Sequence, residues 1–291
     1  MTNWPESLVI ELAARRCIIF LGSGTSLSAT KRTAGGDQNP PTWKGFLEIL
    51  RDGHNRGDQG DLEIANGLLA GEKYLDCAEV LRTTCIHDAD YGRLLARTFE
   101  GYRPTDIHSH IEKIDQKIVV STNYDSLYED QCRQGDGADG YVVLNYYDEG
   151  LLARMRSPKR LIIKAHGSVA RPEATVLTRS DYFAAREKYQ GFYKILESLF
   201  LTHTLLFIGY SLSDPDVQLL LENTSITAQS AHPHYALMAQ GIHPAMRAAF
   251  SNTYNVEILE FDPANNYADF GASLEALAAL VLEQREDQPN E

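Results

Sequence analysis

Four short apolar runs punctuate the 291-residue chain: Cys17–Leu21, Lys117–Val120, Leu161–Lys164 and Thr204–Ile208. Each run is continuous rather than alternating, as in strands buried on both faces of a parallel sheet flanked by helices. Tyr235–Met238 and Val256–Leu259 are two further candidates, and a closing helix is predicted over Ser273–Arg285. Between the first and second runs the spacing turns helical, over Trp43–Leu50, Leu62–Leu69, Tyr74–Thr84 and Tyr91–Phe99, with Gly- and Asp-rich breaks such as Asp52–Asp61. Ala78, Leu81 and Cys85 fall on one side of that pattern and are expected to face a small core. Lys31–Pro41, rich in Gly, Asn and Pro, reads as a flexible loop. Strands alternating with helical segments predict an α/β fold, a Rossmann-like parallel sheet flanked by helices. The expected organisation is a sheet domain over 1–40 and 116–286, an inserted helical subdomain over 41–115, and a tail over 287–291.

Composition narrows the function classes. With 43% hydrophobic and 23% charged residues the chain matches an ordinary globular protein. Its 27 basic against 40 acidic side chains give a net charge of −13. Such a surface repels phosphate backbones, so no direct nucleic-acid binding is expected. The densest basic stretch, Arg154, Arg156, Lys159 and Arg160, has no interleaved aromatics and reads as a solvated face leading into a strand. No apolar run is long enough to span a membrane. The first residues lack the basic-then-apolar pattern of a secretory signal. The four cysteines stand singly, without a CxxC pair, so neither a disulfide framework nor a metal site is indicated. A reducing, cytoplasmic location is the expectation.

Candidate chemistry gathers where the four runs end. Ligands of doubly wound sheets bind beyond the carboxyl ends of the strands, so these four clusters are expected to share a site. Gly22-Ser23-Gly24-Thr-Ser26 follows the first run. A Gly-x-Gly between strand and helix lets the backbone approach a pyrophosphate, with helix amides as donors, although a simple tight turn explains it equally. The third glycine of the dehydrogenase fingerprint is Leu27 here, and the later acidic residue is missing. Ser121-Thr-Asn123-Tyr-Asp125 offers hydrogen bonds to a ribose or carboxamide, or merely caps the next helix. His166, before Gly167 at the end of the third run, can exchange a proton near neutral pH, or serve as a hydrogen-bonded structural residue. Gly209-Tyr210-Ser211 leaves room for a nucleotide, while Asp214 caps a helix beginning at Pro215.

In this order the clusters, with Phe207–Asp216 and Leu177–Tyr182, resemble the sirtuin-like superfamily, and specifically its bacterial NAD-consuming branch of anti-phage defence. The resemblance runs from about residue 17 to residue 222. It implies an NAD+ hydrolase that splits the nicotinamide–ribose bond to nicotinamide and ADP-ribose, with NAD as substrate and no metal. It further implies that Asn123 and His166 are catalytic, that Gly22, Ser23, Gly24 and Ser26 hold the pyrophosphate, and that Asp125 holds the carboxamide. Gly209, Tyr210 and Ser211 would line the adenosine side. Sirtuin deacetylases carry two CxxC pairs in a zinc-bearing small domain; here a helical insertion stands in that place, and Thr122 replaces their Gln before the Asn. A protein deacylase or ADP-ribosyl transferase, or a non-catalytic NAD- or ADP-ribose-binding sensor subunit, are the competing expectations. Control by homo-oligomer assembly or by a partner such as a HerA-like ATPase, sensing in trans, is implied as well.

Overall fold

The computed structural model of the chain describes residues 2–134, 140–228 and 230–287. The predicted tail therefore lies, beyond Asp287, outside the described residues. Among the described residues nine strands occur: β1 (Cys17–Leu21), β2 (Lys31–Thr33), β3 (Gly36–Gln38), β4 (Ile118–Ser121), β5 (Val142–Asn145), β6 (Leu161–Lys164), β7 (Thr204–Ile208), β8 (His234–Ala239) and β9 (Val256–Phe261). Seven of them form one parallel sheet in the order β5-β6-β4-β1-β7-β8-β9, and β2 and β3 form a separate antiparallel hairpin. The fold is thus α/β and Rossmann-like. From β1 the chain steps to β4, crosses to the edge strand β5, comes back to β6 between them, and then returns to the other side of β1 with β7. The order reverses at the β1–β7 pair, where crevices for ligands open at the strand ends.

Residues on alternate faces of each strand enter two different cores. Ile18, Phe20, Val120, Ile163 and Phe207 join Leu196, Phe200 and Leu221 from the helices Gln190–Thr202 and Pro215–Thr227. Ile19, Leu21, Val119, Ile162 and Ile208 join Leu8, Leu12, Ile111, Leu274 and Leu277 on the opposite face. Helices Glu6–Ala13, Asp106–Ile114 and Ala264–Asp287 supply that second layer. Burial on both faces is the reason the strand sequences are apolar throughout.

The helices Trp43–Asp52, Gln59–Ala70, Tyr74–Val80 and Asp88–Phe99 enclose a third core. Ala78, Leu81 and Cys85 are fully buried in it, as their spacing predicts, although the chain widens into a π-turn over Leu81–Cys85. Helix Asp106–Ile114 packs on the sheet rather than with these four.

Three features depart from the sequence reading. Lys31–Gln38 is a hairpin rather than a plain loop: Lys31 Nζ reaches the carbonyls of Arg97 (2.6 Å) and Thr98 (3.1 Å), where a helix ends with unpaired acceptors. No helix follows Gly22-Ser-Gly24; Ser23–Thr25 makes a single 3-10 turn before the chain runs into the hairpin. Finally, β5 was not expected. It is a four-residue edge strand, half-buried at every position, so it lacks the buried run that marks the others.

Candidate functional site

The predicted clusters meet at the carboxyl ends of β1, β4, β6 and β7. Gly22, Ser23, Gly24, Ser26, Asn123, Asp125, His166, Gly209, Tyr210 and Ser211 all line one cavity of about 1060 Å³. Pockets for small molecules span about 300–1,000 Å³, so this one is of a size for a dinucleotide.

The β1 and β7 loops approach each other so closely that side chains are excluded. Gly24 N–H donates to Gly209 O at 2.9 Å. A Cβ on Gly22 would stand 2.4 Å from Gly209 O, and one on Gly209 would stand 2.4 Å from Thr25 N. Gly209 also has φ of +62°, which favours glycine. The three glycines therefore serve loop-to-loop contact, and the helix amides expected behind Gly24 are absent because no helix starts there. Polar groups on this wall come instead from the backbone of the 3-10 turn and from Ser23 and Ser26.

Asn123 holds that turn in place. Its Nδ2 shares its hydrogens among Gly22 O (3.0 Å), Ser26 Oγ (3.2 Å) and Thr25 Oγ1 (3.3 Å). Ser26 Oγ donates in turn to Asp125 Oδ2 at 2.9 Å, while Leu127 N–H donates to Asp125 Oδ1 at 3.1 Å. Asp125 thus lines the cavity and also binds the start of helix Leu127–Gln134, the capping role read from the sequence. Tyr124, between the two, turns away: its ring meets Phe46 and Phe99 edge-on, and its hydroxyl donates to Val176 O at 2.6 Å. The β4 loop is thereby anchored in the helical core.

His166 Nε2 lies 3.1 Å from Asp214 Oδ2. The same oxygen accepts from Tyr182 OH at 2.8 Å. Asp214 Oδ1 accepts from Asp216 N and Val217 N, both at 3.0 Å, and so caps helix Pro215–Thr227 as expected. One carboxylate thus divides its oxygens between a helix and a histidine. Sequence reading found only the capping half, because a histidine 48 positions away leaves no local signal. Burial raises the Asp214 pKa, but the His166 partner, the Val217 amide and Tyr182 outweigh it and hold the carboxyl below its ordinary range. Two residues on, Asp216 moves the other way: burial, with Asp214 close by, pushes its carboxyl up against the Tyr193 hydroxyl and Arg186.

Tyr210 is buried, its ring among Phe20 and Phe207 beneath the Gly22 loop, and it meets the cavity from below. Ser211 Oγ bonds Ser213 Oγ at 2.6 Å on the exposed lip. The opposite wall is largely apolar, with Trp43, Phe46, Leu75 and Phe99 from the helical region. Under the ends of β8 and β9, Met238, Phe261, Tyr267 and Phe270 extend the cavity sideways.

Residues 117–259 match the family model described as a SIR2-like domain. The chain is 32% identical over 137 residues to the NAD(+) hydrolase ThsA of Enterococcus faecium, covering 45% of this chain and 27% of that one. It is 34% identical over 131 residues to ThsA of Cytobacillus dafuensis, covering 44% and 26%. Defense-associated sirtuin 2 of Bacillus subtilis matches at 29% over 133 residues, 44% of this chain and 13% of that protein. The matched region thus spans about a quarter or less of these relatives. Motif order, parallel sheet and matched region agree: the chain carries a region similar to the SIR2-like domain over residues 117–259, and it is similar there to the sirtuin-like proteins named above.

Proposed function

We propose that the chain is an NAD+ hydrolase that breaks the nicotinamide–ribose bond, releasing nicotinamide and ADP-ribose. The observation that carries this is the convergence of all four strand-end clusters on one dinucleotide-sized cavity, with His166 fixed by a buried carboxylate at its edge. The ThsA relatives, named NAD(+) hydrolases, support the same reading.

In this mechanism the pyrophosphate lies along Gly22–Ser26 and the adenosine toward Gly209–Ser211. Asp125 faces the carboxamide. Nicotinamide leaves as a neutral base, taking the electron pair of the C–N bond, and a water oxygen forms the new bond to the ribose carbon. Asn123 is suited to orient that water. Its Nδ2 is committed to the Gly22 turn, which leaves Oδ1 to accept a hydrogen bond from the nucleophile. Asp214, accepting from Nε2–H, selects the tautomer in which Nδ1 is the basic nitrogen, and Nδ1 takes the proton lost by the water. No metal enters these steps.

An always-active NAD hydrolase would drain its own cell. We therefore include control by self-assembly or by a partner, such as a HerA-like ATPase, and a role as an NAD-depleting effector of anti-phage defence. The division into a sheet domain (1–40 and 116–286) and a helical subdomain (41–115) belongs to the same proposal, with residues from the helices within 43–99 lining the cavity and helix Asp106–Ile114 packed on the sheet.

The test is NAD consumption by purified protein, with products resolved chromatographically. Wild type is expected to yield nicotinamide and ADP-ribose, and His166→Ala to lose about 10²- to 10⁴-fold in kcat, the usual worth of a general base. Tight NAD binding without nicotinamide release, alone and in co-purified complexes, would instead identify a non-catalytic binder. Wild-type turnover by His166→Ala would remove the histidine from the mechanism.

A further inference from the structure

One ionisable pair lies beneath the site and takes no part in the chemistry above. Lys164 ends β6 and is 1% exposed. Its Nζ lies 2.7 Å from Oε1 of Glu129, itself 5% exposed, and donates to the backbone oxygen of Asp125 at 2.6 Å. Glu129 belongs to helix Leu127–Gln134, which begins directly after the Asn123–Asp125 turn. The ammonium therefore grips the turn and the helix behind it at once, from a neighbouring strand whose Lys164 pairs in register with Ser121.

We propose that the Lys164–Glu129 pair is a positioning device that sets where Asn123 and Asp125 stand at the cavity wall; the proposal rests on the NAD-hydrolase reading of that site. Stability alone is a poor reason for such a pair. Desolvating two ions offsets their attraction, and apolar replacements of similar volume are often neutral or stabilising. What an apolar pair cannot do is bond to the Asp125 carbonyl. That carbonyl belongs to the residue whose carboxylate accepts from Ser26, and Ser26 in turn accepts from Asn123. Displacing Asp125 thus moves the Ser26 turn and Asn123 together. A shift of about 1 Å in such groups is enough to lower turnover by about 10²-fold without removing a catalytic group.

The test uses Lys164→Met/Glu129→Leu, which removes both charges at once and leaves none buried and unpaired. Lys164→Met/Glu129→Gln serves the same purpose should the first variant not fold. Thermal unfolding checks the fold, amide hydrogen exchange reads the turn, and NAD kinetics read the site. Unfolding midpoints are expected to stay close to wild type, while exchange of the Asn123 and Leu127 amides quickens by about tenfold or more. The kcat is expected to fall by about tenfold or more, with KM within about threefold. Lys164→Arg, which keeps the charge and a donor, recovers most of both. Wild-type exchange and wild-type kcat in the folded double variant would overturn the proposal. If the wild-type chain itself releases no nicotinamide, the hydrolase reading fails, and exchange at 123–127 alone decides whether the pair positions the turn.

Discussion

The two ends of the parallel sheet use similar polar residues for opposite purposes. At the amino ends of β1, β4 and β6, Asp115 accepts from Arg15 and Arg160, both at 2.5 Å. Arg285, from the last helix, donates to the carbonyls of Ala13 (3.0 Å), Leu12 (3.0 Å) and Ile114 (2.8 Å). Gln116, fully buried, donates to Leu12 and Ile114 as well. These side chains face helix ends whose carbonyls would otherwise be unsatisfied, so the donors are consumed within the protein. At the carboxyl ends, His166 bonds Asp214, and Asn123 is linked to Asp125 through Ser26, but these bonds form around an open cavity. Asn123 retains Oδ1 and His166 retains Nδ1. An Arg–Asp cluster is a staple where helices converge on it, and polar groups form a site where the fold leaves some of their atoms, here Asn123 Oδ1 and His166 Nδ1, without a partner among the described residues.

That contrast makes the two ends separable by mutation. The largest effect is expected at the carboxyl end, from Asp214→Asn. Asparagine still caps helix Pro215–Thr227. Its amide, however, presents a donor to Nε2–H and turns the imidazole to the wrong tautomer. NAD turnover is expected to fall by about 10²- to 10⁴-fold. The urea midpoint is expected to move little, and a kcat near wild type would show that the histidine does not depend on this carboxylate. At the amino end the pattern reverses. Arg285→Ala removes a charged donor from several partly buried carbonyls and should cost about 2–3 kcal/mol of stability. Turnover per folded molecule should be unchanged. A fall in kcat at full occupancy of the folded state would mean that the two ends are coupled through the sheet.

The sequence carried the carboxyl end better than the amino end, for physical reasons. Strands buried on both faces must be apolar throughout, so β1, β4, β6, β7, β8 and β9 were visible, and the turns after four of them named every predicted residue that lines the cavity. The half-buried edge strand β5 had no such signature. The glycines were legible as residues but not in purpose: Gly22, Gly24 and Gly209 admit each other's loops, a contact between positions nearly 190 residues apart. Asp214 was read as a cap because capping is local, whereas its bond to His166 is set by the adjacency of loops from different strands. Lys164 left a weak trace, as the one charge closing an otherwise apolar strand. Its partner Glu129 was lost in an ordinary amphipathic helix.

The smallest predicted effect lies on the amino-end side and sharpens the comparison through pH. His234 begins β8, and burial lowers its pKa to about 4 from 6.5. Its Nδ1 accepts from Leu205 N–H at 3.2 Å, a bond that only the unprotonated nitrogen can take. In the unfolded chain the imidazole titrates near its ordinary value, so between those two values the unfolded state binds more protons than the folded one. The stabilisation from neutral His234 is therefore complete above about pH 6.5 and is lost as pH falls toward 4. Going from pH 7.5 to 5.5 should cost about 1 kcal/mol through this residue. His108, lowered to about 4 by burial and accepting from Thr105 N–H at 3.1 Å, adds a term of the same sign. His234→Asn keeps an acceptor for Leu205 without a titrating group, and urea midpoints measured across this range should show a shallower acid slope than wild type. An unchanged slope would place the acid sensitivity in other groups, with His108 the next to replace.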